Sequence, residues 1–263
     1  MRILLFVFSV LFFSLEGNAQ ILNVQKSELK KDTSNFIGSM TASVDLYNRS
    51  VAADKKMSFF EAKFKSGFAW FIKNSTLTFI NDFSFAELNK EMIKSVGFQH
   101  VRYSLFESGE FHPEAFAQYQ FDNYRGLAPR WLGGVGLRHD LIQAKTFNFF
   151  YGVGVMYEYE VWQEIEKPDK VYKSLIKSTN YIGFHWDATE DFNLHMISYF
   201  QTAPDKKDNL WRKRYSFEIS MNTAISSRFS INNSFSISHE SQPIIDVVPT
   251  IYNLEMGINY FIR

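Results

Sequence analysis

The chain has no cysteine, which removes disulfides, thiolate metal ligands and lipid attachment at a cysteine from consideration. It also lacks any apolar run of the roughly 18 to 20 residues that a membrane-spanning helix requires. Its most apolar stretch, residues 3–15, is too short for that. A helical membrane protein is therefore excluded. Charge of one sign is missing too: 28 Lys and Arg stand against 28 Asp and Glu. With no basic excess to neutralise phosphates, nucleic acid is not an expected partner.

What is present begins with an export signal over residues 1–19. Arg2 supplies the positive end, residues 3–15 the apolar centre, and Gly17, Asn18 and Ala19 the small residues of a cleavage site. Residues 20–35 are polar and lysine-rich without strand periodicity, and read as a periplasmic lead-in. Aromatic residues make up 17% of the chain, including 28 Phe and 13 Tyr, a composition suited to rings facing acyl chains and the membrane interface.

From residue 36 to 263 twelve segments alternate apolar and polar residues. They fall near 36–48, 57–72, 75–86, 97–107, 112–122, 130–140, 146–160, 172–186, 191–203, 209–223, 227–240 and 249–262. The second shows the rule: Phe60, Ala62, Phe64, Phe68, Trp70 and Ile72 share one face while Glu61, Lys63 and Lys65 share the other, because successive strand side chains point opposite ways. The pattern predicts an all-β fold, a single antiparallel transmembrane β-barrel of about twelve strands. A soluble barrel or sandwich also alternates, but a closed soluble barrel of this size would enclose an apolar lumen too wide to fill. Aromatic residues at strand ends on the apolar face form two girdles, Trp131, Tyr157, Trp211 and Tyr252 at one, Trp70, Phe147, Trp186 and Tyr260 at the other. Connections after even-numbered segments are expected to be short and those after odd-numbered ones longer. This places the short set and both termini on the periplasmic side of an outer membrane. The expected partners are outer-membrane lipid and the barrel-assembly machinery, the latter through the C-terminal strand with Tyr252, Leu254, Met256, Ile258, Tyr260 and Ile262 on one face.

A lysine or arginine facing the bilayer midplane costs on the order of 2 to 4 kcal/mol, so the charged face must look inward. The lumen-lining candidates are Glu61, Lys63, Lys65, Arg102, Glu114, Asp122, Arg138, Glu158, Arg212, Arg214, Glu218 and Glu255, with Glu160 beside them. Either they pair across strands and largely close the lumen, or acidic and basic walls define a narrow passage for small ions or zwitterions. Lys213 is a charged exception near the outer rim, and Asn81 and Asn233 are polar departures on the apolar face. Gly134 and Gly136, expected opposite Gly152 and Gly154, form an inward patch free of side chains where bulky groups from across the lumen pack closely or the wall bends. No phosphate loop is read there, since a strand surrounds the glycines.

Of the six histidines, His100, His185 and His195 face the lumen, His112 lies near a periplasmic turn, and His139 and His239 lie near the membrane boundary. No pair has the spacing of a helical zinc site, so no metal or other cofactor is expected. Ser236, Ser238, His239, Glu240 and Ser241 are the nearest approach to a hydrolase constellation. A solvated or interfacial strand end accounts for them better, and no catalytic residue is assigned.

The stretch Phe116, Gln118, Tyr119, Asp122, Arg125, Gly126, Leu127, Arg130, Gly133, Gly134, Gly136 and Leu137, followed by Gly152 and Gly154, resembles the salt-induced outer-membrane protein family. The likeness covers the fifth to seventh segments and implies fold and location; that family offers no substrate or catalytic residues to carry over. The Ile262-Arg263 ending and the longer loops depart from it. The expected role is an envelope or stress-related structural barrel with a polar, largely closed lumen. A narrow passive channel and an outer-membrane hydrolase are the alternatives.

Overall fold

The computed structural model describes residues 35–260, apart from 53–54, 107, 165–166, 168 and 227–228. The expected export signal, nearly all of the lead-in and the Ile262-Arg263 ending lie outside the described residues. Twelve strands are formed: β1 (Phe36–Ala52), β2 (Lys55–Ile72), β3 (Ser75–Leu88), β4 (Glu91–Leu105), β5 (Phe111–Asp122), β6 (Leu127–Gln143), β7 (Phe147–Gln163), β8 (Lys170–Thr189), β9 (Phe192–Asp205), β10 (Leu210–Ala224), β11 (Phe229–Glu240) and β12 (Thr250–Tyr260). Each pairs with the next in a single sheet ordered β1 to β12, and each pairing is antiparallel. The sheet curls until its concave faces meet. Tyr181 of β8 donates to Glu114 of β5 at 2.7 Å, and Arg102 of β4 donates to Tyr199 of β9 at 3.4 Å. The fold is an all-β antiparallel barrel with polar and charged side chains buried on its inner face.

The alternation in sequence becomes inside and outside. Along β7, Met156, Glu158 and Glu160 are buried while Val153, Val155 and Tyr157, of the opposite parity, are exposed. Of the expected girdle residues, Trp131, Tyr157, Trp211 and Tyr252, and Trp70 and Trp186, are exposed. Phe147 is half-buried. Asn81 has a partner on each side on the outer face. Its amide donates to Ser66 Oγ at 2.9 Å and its carbonyl accepts from Gln99 at 3.1 Å, a rung across β2, β3 and β4 that satisfies a polar group away from water. Asn233, opposite Met221 and Met256, is not explained by the structure.

The expected contrast in connection length is only partly present. The β1–β2 and β3–β4 links, after odd-numbered strands, are two residues each, 53–54 and 89–90. At the second, Asn89 and Lys90 have φ of 53° and 69°, the backbone of a type I′ hairpin whose twist matches that of its strands. The longer links are 164–169 between β7 and β8 and 241–249 between β11 and β12. The β5–β6 link is a 3₁₀ turn, Asn123–Arg125, closed by Gly126 at φ 78°. A side chain there would collide with the Gln163 carbonyl, so the turn requires glycine twice over.

Candidate functional site in the charged lumen

Glu158 and Glu160, two residues apart on β7, project to the same inner face, and the largest charged cluster is built on them. Arg130 of β6 donates to Glu158 at 2.9 Å and to Gln120 at 3.0 Å, and lies 3.2 Å from Glu160. From three strands further round than β7, Arg214 of β10 reaches Glu158 at 3.1 Å, Glu160 at 2.9 Å and Glu240 at 2.9 Å. Lys177 of β8 pairs with Glu158, and the Trp162 indole donates to Glu160 at 3.2 Å. Three cations and three carboxylates, all buried, thus neutralise one another across the lumen. Removing one member of such a group leaves an uncompensated buried charge, typically worth about 3 to 5 kcal/mol.

Nearer the rim that carries the β9–β10 link, Lys173 contacts Asp205 at 2.7 Å and Asp208 at 2.8 Å, while Arg212 contacts them at 2.7 Å and 2.6 Å. The third Arg212 nitrogen donates to the Gln242 carbonyl at 2.5 Å, tying this cluster to the β11–β12 link. That link folds inward as a strap: Ile245 is buried against Leu127 and Trp162, with Ile244 and Val247 packed beside them. Arg125 donates to the Val248 carbonyl at 3.4 Å. Beneath the strap lies a cavity of about 40 Å³ lined by Gln120, Arg130, Glu160, Arg214, Glu240 and Ile251, among others.

On the other side of the Glu158 cluster a second cavity of about 40 Å³ opens between β4 and β9, with His100, Arg102, Glu114, Tyr181, Tyr199 and Gln201 in its lining. Further toward the β4–β5 and β6–β7 turns, Arg138 lies 2.6 Å from Asp140 and over the Phe150 ring at 4.1 Å. His112 approaches Asp140 at 3.3 Å.

Glu158 and Arg214 are therefore brought together directly, and Arg102 comes within 3.9 Å of Glu114. Asp122 accepts from the Arg125 amide at 3.2 Å and so serves its own turn. Glu61, Lys63 and Lys65 form a separate wall with Lys94 and Asp82, at 3.3 to 3.9 Å. Glu218 is half-exposed and Glu255 exposed. Arg130, Lys177 and Glu240 were not among the candidates, although they complete the central cluster. Lys177 could have been found from the parity of Lys173, Lys177 and Thr179. That signal is blurred because Ser174, Ser178 and Asn180 make the outer face of this part of β8 polar as well.

The glycines differ in one respect from expectation. Gly136 does face Gly154, but Gly134 faces Met156 and Gly152 faces Arg138. The groups that crowd them come from neighbouring strands rather than from across the lumen: Phe116 and Met156 lie against Gly134, and the Tyr181 ring lies against Gly152. The missing side chains make room for inward aromatic rings that line the β4–β9 cavity. His100 sits in mid-strand, because β4 begins at Glu91 rather than near residue 97. His185 and His195 are register partners. Ser238 faces inward toward Ser216 at 3.3 Å, while His239 points to the other face and bonds Thr250 at 2.8 Å. Glu240 is bonded to Arg214, so these groups do not converge on one reacting centre. Among the described residues no three His, Asp or Glu side chains gather as metal ligands would.

Comparison with known proteins gives two results. The family described as "Protein of unknown function, DUF481" matches residues 68–261, whereas no curated protein matches the sequence significantly. Among solved structures, the NanC porin shares 12% identity over 84% of this chain and 100% of its own, with a TM-score of 0.45. The TodX monoaromatic hydrocarbon channel shares 8% over 87% and 80%, with a TM-score of 0.41. A loop-deleted OmpT, an outer membrane protein of Vibrio cholerae, shares 9% over 86% and 99%, with a TM-score of 0.30.

Proposed function

The chain belongs to the family described as a protein of unknown function, DUF481, and we propose that it is an integral outer-membrane barrel serving the envelope itself, with a lumen largely filled by its own charges. The observation that carries this reading is the cluster of Arg130, Lys177 and Arg214 with Glu158, Glu160 and Glu240, which joins β6, β7, β8, β10 and β11 across the interior. A passage selective for ions needs groups that bind and release them; these six are already committed to one another. The resemblance to the salt-induced outer-membrane protein family supports an envelope or stress role, and catalysis is no part of the proposal.

A second reading, a narrow passive channel for small ions or zwitterions, is favoured by one wall. Lys63 and Lys65 of β2 keep 29% and 44% of their side chains exposed on the inner face. Planar-bilayer recording separates the two. The filled-lumen reading expects silence from the wild type and steady conductance from Arg214→Gln, which opens the central cluster. Steady wild-type conductance that changes ion preference in a Lys63→Gln, Lys65→Gln double variant would instead establish the channel.

A further inference from the structure

We propose that the mid-lumen cavity between β4 and β9 binds a small carboxylate, or an oxyanion of the same size, together with a proton taken up by His100. The proposal stands on the cavity and does not depend on whether the lumen conducts.

One side of the cavity is satisfied and the other is not. Glu114 accepts from Tyr181 at 2.7 Å and from Ser104 at 3.3 Å. By contrast, both ring nitrogens of His100, Nε of Arg102 and Oε1 of Gln201 are buried with no hydrogen-bond partner. His100 and Gln201 are only 7% and 6% exposed. Buried polar atoms left open in this way are where folded proteins hold water or a ligand.

The rest of the Arg102 guanidinium is loosely engaged, 3.9 Å from Glu114, 3.4 Å from the Tyr199 hydroxyl and 5.9 Å from the centre of the Tyr181 ring. A cation whose nearest carboxylate is held by other donors, beside an imidazole with two open nitrogens, suits an anion with two oxygens. One oxygen accepts from Arg102 Nε–H and the other from His100. The volume limits the size. About 40 Å³ holds roughly three waters, at about 10 to 15 Å³ each on this measure, or a group of three or four heavy atoms. Phe98, Phe116 and Leu132 supply an apolar surface for a methyl group.

Charge balance calls for the proton. Arg102 is offset by Glu114, and Arg130, Lys177 and Arg214 together by Glu158, Glu160 and Glu240; these, with Tyr181 and Tyr199, are the ionisable groups of the lining and of the cluster it joins. An added anion would leave one negative charge uncompensated in a buried site. Protonating His100 restores neutrality and turns both of its nitrogens into donors. Gln118, opposite His100 in register, directs its amide to Gln120 at 3.3 Å and is near enough to the imidazole to compete for it.

The test is calorimetric titration of the refolded full chain in detergent with sodium acetate against equal sodium chloride. Saturable binding at one acetate per chain is expected, with a proton taken up from buffer. Affinity should fall by up to about tenfold per pH unit toward alkaline pH. His100→Gln should abolish the proton uptake and the pH dependence, Arg102→Met should abolish binding, and Arg138→Gln, at a different lumenal cluster, should leave both unchanged. Should Arg102→Met fail to fold, His100→Gln decides alone. Acetate heats no larger than those of chloride would mean that water alone fills the cavity, and a pH dependence unaltered in His100→Gln would remove the proton from the site; either outcome overturns the proposal.

Discussion

At Glu158 three cations converge on one buried carboxylate. Outside the strands the same chemistry is exposed to solvent and can be titrated. Asp208, in the β9–β10 link, is held below the ordinary carboxylate range, first by the hydrogen bond from Lys173 and then, against some burial, by that from Arg212. A carboxyl whose folded pKa is depressed contributes stability that is present above the unfolded value, about 3.9 for Asp. That contribution is lost as pH falls through the lower folded value. Thermal unfolding in detergent should therefore show a midpoint that drops below about pH 4, and Asp208→Asn should lower the neutral-pH midpoint while flattening part of that drop. Superimposable pH profiles for the two proteins would remove Asp208 from the account. Strand parity alone pointed to Glu158, Arg212 and Arg214 as inward groups. It could not pair Arg214 with Glu158, since β8 and β9 lie between them and the curl that closes this distance leaves no local trace in the sequence.

The strands themselves were legible because each needs only a period of two over ten or more residues, one face looking into the barrel and the other away from it. The connections were less legible. Residues 87–96 read as a long loop because Glu87, Lys90, Glu91 and Lys94 interrupt the apolar pattern, yet β3 and β4 run on through them and Lys94 reaches Glu61 at 3.9 Å. Charged strand ends near the rim are free of the alternation that governs the middle of each strand. The turn that results is strained in one place: Lys90 adopts φ 69°, where an L side chain is disfavoured by roughly 1 to 2 kcal/mol. Its neighbour Asn89 tolerates the region and accepts from the Ser58 amide at 2.9 Å. Lys90→Gly should raise stability by up to about 1 kcal/mol once the greater freedom of glycine in the unfolded chain is deducted. A denaturant midpoint that falls instead would show that the hairpin depends on the lysine side chain.

For the molecule as a whole, orientation follows from which rim carries the strap. The strap between β11 and β12, the Lys173–Asp205–Arg212 cluster and the β7–β8 link share one end of the barrel, while the links at 73–74, 144–146 and 190–191 share the other. If both termini are periplasmic, the strap end faces outward, away from the cell. The chain is well suited to testing this because it contains no cysteine of its own. Asp246→Cys places one thiol on the exposed strap, and Asp191→Cys places one at the β8–β9 turn. In intact cells a membrane-impermeant maleimide should label the first and not the second; after lysis it should label both, and both proteins should fractionate with outer membranes. The reverse labelling would invert the barrel. Recovery of both variants in the soluble fraction would remove the membrane altogether, because the exposed Trp, Tyr, Val and Ile residues of the outer face would then have no hydrocarbon to meet and would have to be covered by another surface.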